Sequence, residues 1–138
     1  MKTRLILTVL AMPFAGAAHA AERFEPGSWR STSSSGTNRS QTNGPRCVTA
    51  QEARSMNGTA DTIRTALEAD PAWTGCRIGD VRAEGMSVAF TATCPGDIVT
   101  TSQTRYAGSS YEGTIRVTAS GSPMVAMTIR GERTGPCP

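Results

Sequence analysis

The sequence predicts an α+β domain: a curved antiparallel sheet of five to six strands, partly covered on one face by two short helices and clasped by two disulfides. Three observations point there. Met86, Val88, Phe90, Ala92 and Cys94 alternate with Ser87, Ala89, Thr91 and Thr93, the period of a strand with one apolar face. Segments 111–119 and 124–131 flank Ser120-Gly121-Ser122-Pro123 as the two arms of a hairpin. Cys47, Cys76, Cys94 and Cys137 have no CxxC spacing and no histidine beside them, which favours two disulfides over a metal site.

The 138-residue chain opens as an export signal does. Lys2 and Arg4 precede an apolar run from Leu5 to Ala18, and Ala18-His19-Ala20 supplies a small, any, small cleavage pattern. Residues 1–20 are therefore expected to leave as a cleavable signal peptide, and 21–138 to form a single exported domain, periplasmic or secreted. That domain has 118 residues, with 12 basic groups, all Arg, against 11 acidic ones, so the net charge falls from +3 to near +1. His19, the one histidine, departs with the signal, which excludes Ser-His-Asp triads, Cys-His pairs and histidine metal sites. Beyond the signal no apolar stretch approaches the roughly 20 residues of a membrane span. Only 20 Val, Ile, Leu, Met, Phe or Trp residues stand against 30 Ser or Thr, so the core must be thin and cross-links are the usual remedy.

Glu25-Pro26-Gly27-Ser28-Trp29-Arg30 reads as a turn entering a short strand. Segment 31–46 is almost wholly polar, contains Gly36, Gly44 and Pro45, and is expected to be a mobile loop. Thr49-Ala50-Gln51-Glu52 is a capping box that starts a helix over 50–56, with Asn57-Gly58 as its stop. Ile63, Ala66 and Leu67 share one face of a second helix over 62–69, ended by Pro71. Cys76 and Cys94 are equidistant from Gly85, so a hairpin turning there sets them opposite each other at bridging distance and leaves Cys47 to pair with Cys137. In the first arm of that hairpin Cys76 and Ile78 share a phase while Val81 is out of step, which predicts a bulge near Gly79 and Asp80. Opposing Val117 to Val125 and Ile115 to Met127 on one face, with Thr114 to Thr128 and Glu112 to Arg130 on the other, satisfies both faces in one register. Segment 98–106 then pairs with 111–119 so that Tyr106 opposes Tyr111, and its inward row reads Ile98, Thr100, Ser102, Thr104, Tyr106.

The candidate binding residues are Tyr106, Ser109, Ser110, Tyr111, Arg116 and Arg130. Tyrosines opposed across a hairpin, with serines between them, suit recognition of a partner, and equally an ordinary cross-strand aromatic pair. Arg116 and Arg130, with Arg105 and Arg133, read either as a patch for phosphate or carboxylate groups or as a solvated face that Glu112 and Glu132 partly neutralise. The hydroxyl row 100–106 reads either as the lining of a polar cleft or as an edge strand with neither face fully buried. A near-zero charge, with no aromatic platform among the basic residues, argues against nucleic acid as a partner. An enzyme would have to use carboxylates such as Asp80, Glu84 and Asp97. No Gly-x-Ser-x-Gly elbow or phosphate-cradling glycine loop is present, so no catalytic residue, metal or cofactor is assigned. Trp29 and Trp73 adjoin turns and are expected at the core or its margin.

Pro26-Gly27-Ser28-Trp29, Cys47-Val48-Thr49, the spaced Cys76 and Cys94, Ser110-Tyr111-Glu112-Gly113 and the closing Arg130-Gly131-Glu132-Arg133-Thr134-Gly135-Pro136-Cys137 come in an order that resembles a bacterial exported family, domain of unknown function 3617. The resemblance spans nearly the whole expected mature chain and implies a periplasmic or otherwise exported module, with no activity to carry over. The resulting expectation is non-enzymatic binding of a protein or envelope component. A second reading is an inhibitor of an envelope-active hydrolase, such as a lytic enzyme, that presents the loop from Tyr106 to Tyr111. A carboxylate-based enzyme is the third.

Overall fold

A computed structural model describes residues 22–36 and 40–138; the expected signal peptide, 1–20, lies outside the described residues. The elements are β1 (Gly27–Ser35), β2 (Ser40–Val48), α1 (Ala50–Asn57), α2 (Ala60–Ala69), a 3₁₀ turn (Pro71–Trp73), β3 (Arg77–Glu84), β4 (Ser87–Cys94), β5 (Ile98–Tyr106), β6 (Ser110–Ala119) and β7 (Ser122–Gly135). The strands form one antiparallel sheet in the order β2-β1-β7-β6-β5-β4-β3. Seven strands replace the expected five to six, and the difference is segment 31–46. Expected as a loop, it supplies most of the β1–β2 hairpin, paired through Ser31↔Asn43, Thr32↔Thr42 and Ser33↔Gln41. Its residues carry no apolar alternation because β2 is an edge strand exposed on both faces up to Cys47, so nothing selects hydrophobic side chains there.

The β3–β7 meander follows the expected registers. In β3–β4 the two-residue turn at Gly85-Met86 pairs Glu84 with Ser87, and the ladder slips by one between Gly79 and Arg82. The bulge falls where Val81 leaves phase, with Asp80 at φ 50°, and the slip is what restores the pairing that sets Cys76 opposite Cys94. Both disulfides form as expected, Cys76–Cys94 with Cα atoms 4.1 Å apart and Cys47–Cys137 with Cα atoms 5.3 Å apart. Tyr106 opposes Tyr111, and the β6–β7 register holds from Glu112↔Arg130 to Val117↔Val125 before slipping to Thr118↔Pro123. β5 is an interior strand between β4 and β6, which rules out its reading as an edge.

Helix α1 is closed by the capping box: the Thr49 hydroxyl accepts from Glu52 N (3.2 Å), and the Glu52 carboxylate accepts from Thr49 N (2.7 Å). Helix α2 begins at Ala60 rather than 62 because the Thr59 hydroxyl accepts from Thr62 N at 3.3 Å. The helices leave the Val48 end of β2 and return the chain to the Arg77 end of β3, so they cross one face of the sheet, here the inner face, diagonally. Two cores result. Ile63, Ile78, Val81, Val88 and Ala92 are buried under α2, with Leu67, Trp73 and Phe90 packed around them. Trp29, Val48 and Ala53 form the second, with Phe24 and Tyr111.

Candidate functional site

At the α1 end of the inner face four rings meet. Phe24 lies 4.5 Å from Trp29, 5.5 Å from Tyr106 and 6.1 Å from Tyr111 between centroids, and Trp29 stacks on Tyr111 at 5.7 Å. The Tyr111 ring lies over Gly131, its partner on β7, and a Cβ built at Gly131 would run into that ring. A glycine in mid-strand, otherwise a weakness, is covered here by the aromatic face of its neighbour.

Phe24 reaches this cluster through an N-terminal strap. The Asn57 side-chain amide accepts from Phe24 N (2.9 Å) and donates to Phe24 O (3.0 Å), completing the backbone pairing of an isolated segment. On its other side Glu25 N donates to Gly108 O (3.1 Å), and Gly108 N donates to Arg23 O (3.0 Å). Arg23 is 5% exposed, and its guanidinium donates to the carbonyls of Gly85 (2.6 Å), Met56 (3.1 Å) and Gly58 (3.0 Å). It thereby ties the strap to the C-terminal end of α1, where orphan carbonyls favour a cation, and to the β3–β4 turn. Burial pushes the Tyr106 hydroxyl up to about 12, with Tyr111 adding to the rise and Arg23 opposing it. Burial raises Tyr111 as well, against a hydrogen bond from Ser31 and the charge of Arg46.

Tyr106, Ser110, Tyr111 and Arg130 come together around one open cleft of about 440 Å³, with Glu112 and Glu132 also on its wall. Ser109 stands exposed at the tip of the β5–β6 loop, held from behind by Arg133 N donating to its carbonyl (2.8 Å). Arg116 lies two rows along the outer face, across from Ala126 and Thr101. The arginines do not converge: Arg130 pairs with Glu112 at 3.1 Å, and Arg133 donates to Pro26 O at 2.8 Å beside Glu25. Thr100, Ser102 and Thr104 point inward as expected and are buried. Among the described residues no fully buried side-chain N or O atom lacks a hydrogen-bond partner. Asp80, Glu84 and Asp97 are exposed, Asp80 in the bulge and Asp97 in the β4–β5 turn.

The sequence reading did not single out the opposite corner of the inner face. Ile98, Ile115, Val117, Val125, Met127 and Ile129 share that face by register and belong to neither core. Ile98 and Val125 are 36% and 38% exposed, and Met124, beside Val125 in β7, is 62% exposed. On β5 to β7 the charged residues Arg105, Glu112, Arg116, Arg130 and Glu132 all fall on the outer face, and Arg133 alone shares the inner one, at the far end beside Trp29. The signal was present, since the Val117/Val125 and Ile115/Met127 pairs mark an apolar face. Its lack of cover follows from the diagonal path of the helices, which strand periodicity does not contain.

Among the described residues no three His, Cys, Asp or Glu side chains gather as metal ligands, and no helix is long and apolar enough to cross a membrane. No curated protein and no solved structure matches the chain. Two segments that carried the family resemblance, Ser110-Tyr111-Glu112-Gly113 and Arg130-Gly131-Glu132-Arg133, are cross-strand neighbours: Tyr111 covers Gly131 and Glu112 holds Arg130. Gly113 belongs to the same construction, since a Cβ there would meet Gln103 O at 2.6 Å. The family model for the protein of unknown function DUF3617 matches residues 24–137, the whole span of this construction from Phe24 to Cys137, and the chain belongs to that family.

Proposed function

We propose that the protein is an exported, non-enzymatic binding module that holds a protein or envelope component on the open corner of its inner sheet face. The observation that carries this reading is the set of six aliphatic side chains, Ile98 to Ile129, outside both cores on a stretch of sheet that bears no charge. Contiguous exposed apolar surface on a thin-cored domain carries a cost in water, and a partner that covers it recovers that cost. Export is supported by the two disulfides, which take up all four cysteines and suit an oxidising compartment. The non-enzymatic reading rests on an expected mature chain without histidine or free thiol.

A photo-crosslinking side chain placed at Met127 in the exported protein is expected to give a discrete adduct in cells. The same group at Thr114, on the outer face, is expected to give none. Val125→Asp should remove the Met127 adduct without changing the melting temperature. Equal adducts from both faces, or none, would overturn the reading.

The inhibitor reading has one observation in its favour. The loop at Ser109 is pinned by Arg133 and by the Arg23 to Glu25 strap, so its exposed tip is presented on a rigid base.

A further inference from the structure

The two edges of the sheet are finished differently. At the β3 edge, Arg77, Asp80, Arg82 and Glu84 place charges along the strand, the Asp80–Val81 bulge bends it, and α2 packs against it. These are the devices by which folded proteins keep a strand edge from pairing with another chain. At the β2 edge, Gly44-Pro45 and Arg46, held by Glu52 at 2.6 Å, finish the inner half of the strand in the same way. The outer half, Ser40-Gln41-Thr42-Asn43, has none of these devices. It is exposed, uncharged and paired on one side only, through Ser31 to Ser34 of β1.

We infer that Ser40–Asn43 is a self-association edge, and that its occupant is the same segment of a second copy of this chain, paired antiparallel about a twofold axis perpendicular to the sheet. Such an axis keeps the inner faces of both copies on one side, so residues meet partners of their own parity. Centred on Thr42, it sets Thr42 against its own copy and Gln41 against Asn43. Hydroxyl and amide pairs of this kind are favourable across strands, and without charge nothing in the segment repels its twin. The hydroxyl contact already present between Thr32 and Thr42 (3.4 Å) would then continue across the axis. Pro45 offers no backbone N–H, which confines the pairing to the outer half and makes the association short and reversible. The joined sheet would carry the inner faces of both copies, each with its uncharged open corner, on the same side, and this holds whatever that corner binds.

Sedimentation of the exported, disulfide-intact protein from micromolar to millimolar concentration tests the inference. A monomer–dimer equilibrium is expected, with amides of 40–43 gaining protection from hydrogen exchange as concentration rises. Gln41→Lys with Thr42→Lys should weaken self-association by about tenfold or more, through like charges set opposite each other, and leave the melting temperature unchanged at these exposed positions. A protein monomeric throughout the range, or a dimer whose 40–43 amides gain no protection, overturns the inference even if the lysine variant fails to fold. So does a folded lysine variant that dimerises as the parent does.

Discussion

The two cores are built from different distances along the chain. The aliphatic core under α2 comes from residues 63–92 and is closed by the Cys76–Cys94 disulfide, 18 residues apart. The aromatic core draws on Phe24, Trp29, Val48, Ala53 and Tyr111, rests on Gly131, and is closed by Cys47–Cys137, 90 residues apart. A local core needs one hairpin and one helix, so strand period and turn position can announce it. A core assembled from both ends of the chain needs the sheet order to exist first. In the second region the cross-link and the large rings therefore do what local pattern does in the first.

Removing the cross-links one at a time should break this contrast most sharply. Loop-closure entropy assigns about 4 to 5 kcal/mol to the 90-residue loop and about 3 kcal/mol to the 18-residue one, so Cys47→Ala with Cys137→Ala should cost more than Cys76→Ala with Cys94→Ala in denaturant unfolding. Equal losses would mean that the aromatic core does not depend on its clasp.

Trp29→Ala should cost about 3 to 5 kcal/mol and release Phe24 and Tyr111 together, whereas Ile63→Ala should cost about 2 to 5 kcal/mol and loosen Tyr106, which packs against its core, while leaving Tyr111 as it is. Tyrosinate absorbance during an alkaline titration separates the two variants, because Tyr106 and Tyr111 are the chain's two tyrosines.

The same titration sharpens the comparison in the parent protein. Tyr106 holds its proton up to about 12 in the folded state, against 10.0 for the free side chain, so the folded state binds the proton more tightly. The associated stability is fully present below about pH 10 and is lost as pH rises towards 12. The total is about 2 to 3 kcal/mol, at about 1.4 kcal/mol per pH unit. Tyr106→Phe should flatten stability over that window, and an unchanged slope would place the alkaline loss elsewhere.

Ser109→Arg should have the smallest effect, within about 0.5 kcal/mol by thermal unfolding, since Ser109 contributes its carbonyl and an exposed side chain. If partner capture disappears while stability stays, the loop touches the partner. If capture survives, binding is left to the sheet's open corner.

Legibility in the sequence followed the same division. Thr49 and Glu52 announced α1, the out-of-phase Val81 announced the bulge, and the Tyr106/Tyr111 and Glu112/Arg130 pairs announced two registers, each through neighbours in the chain. The polar hairpin β1–β2 was hidden because an edge exposed on both faces has no period to show. The candidate residues around Tyr111 were visible as a pair, but Phe24, Arg23 and Gly131, which give that pair its setting, were not.

By itself the sequence determined the meander from β3 to β7, both disulfides, the presence of two helices with the start of the first, and an uncharged inner row in β5, because turns and side-chain period act between residues that are already close. The tertiary structure alone decided that β1 lies beside β7, that the N-terminal strap enters the aromatic core, and that the helices cover one diagonal of the sheet and leave the other open. Those choices depend on which distant surfaces can exclude water together, a property of the assembled sheet and of no single segment.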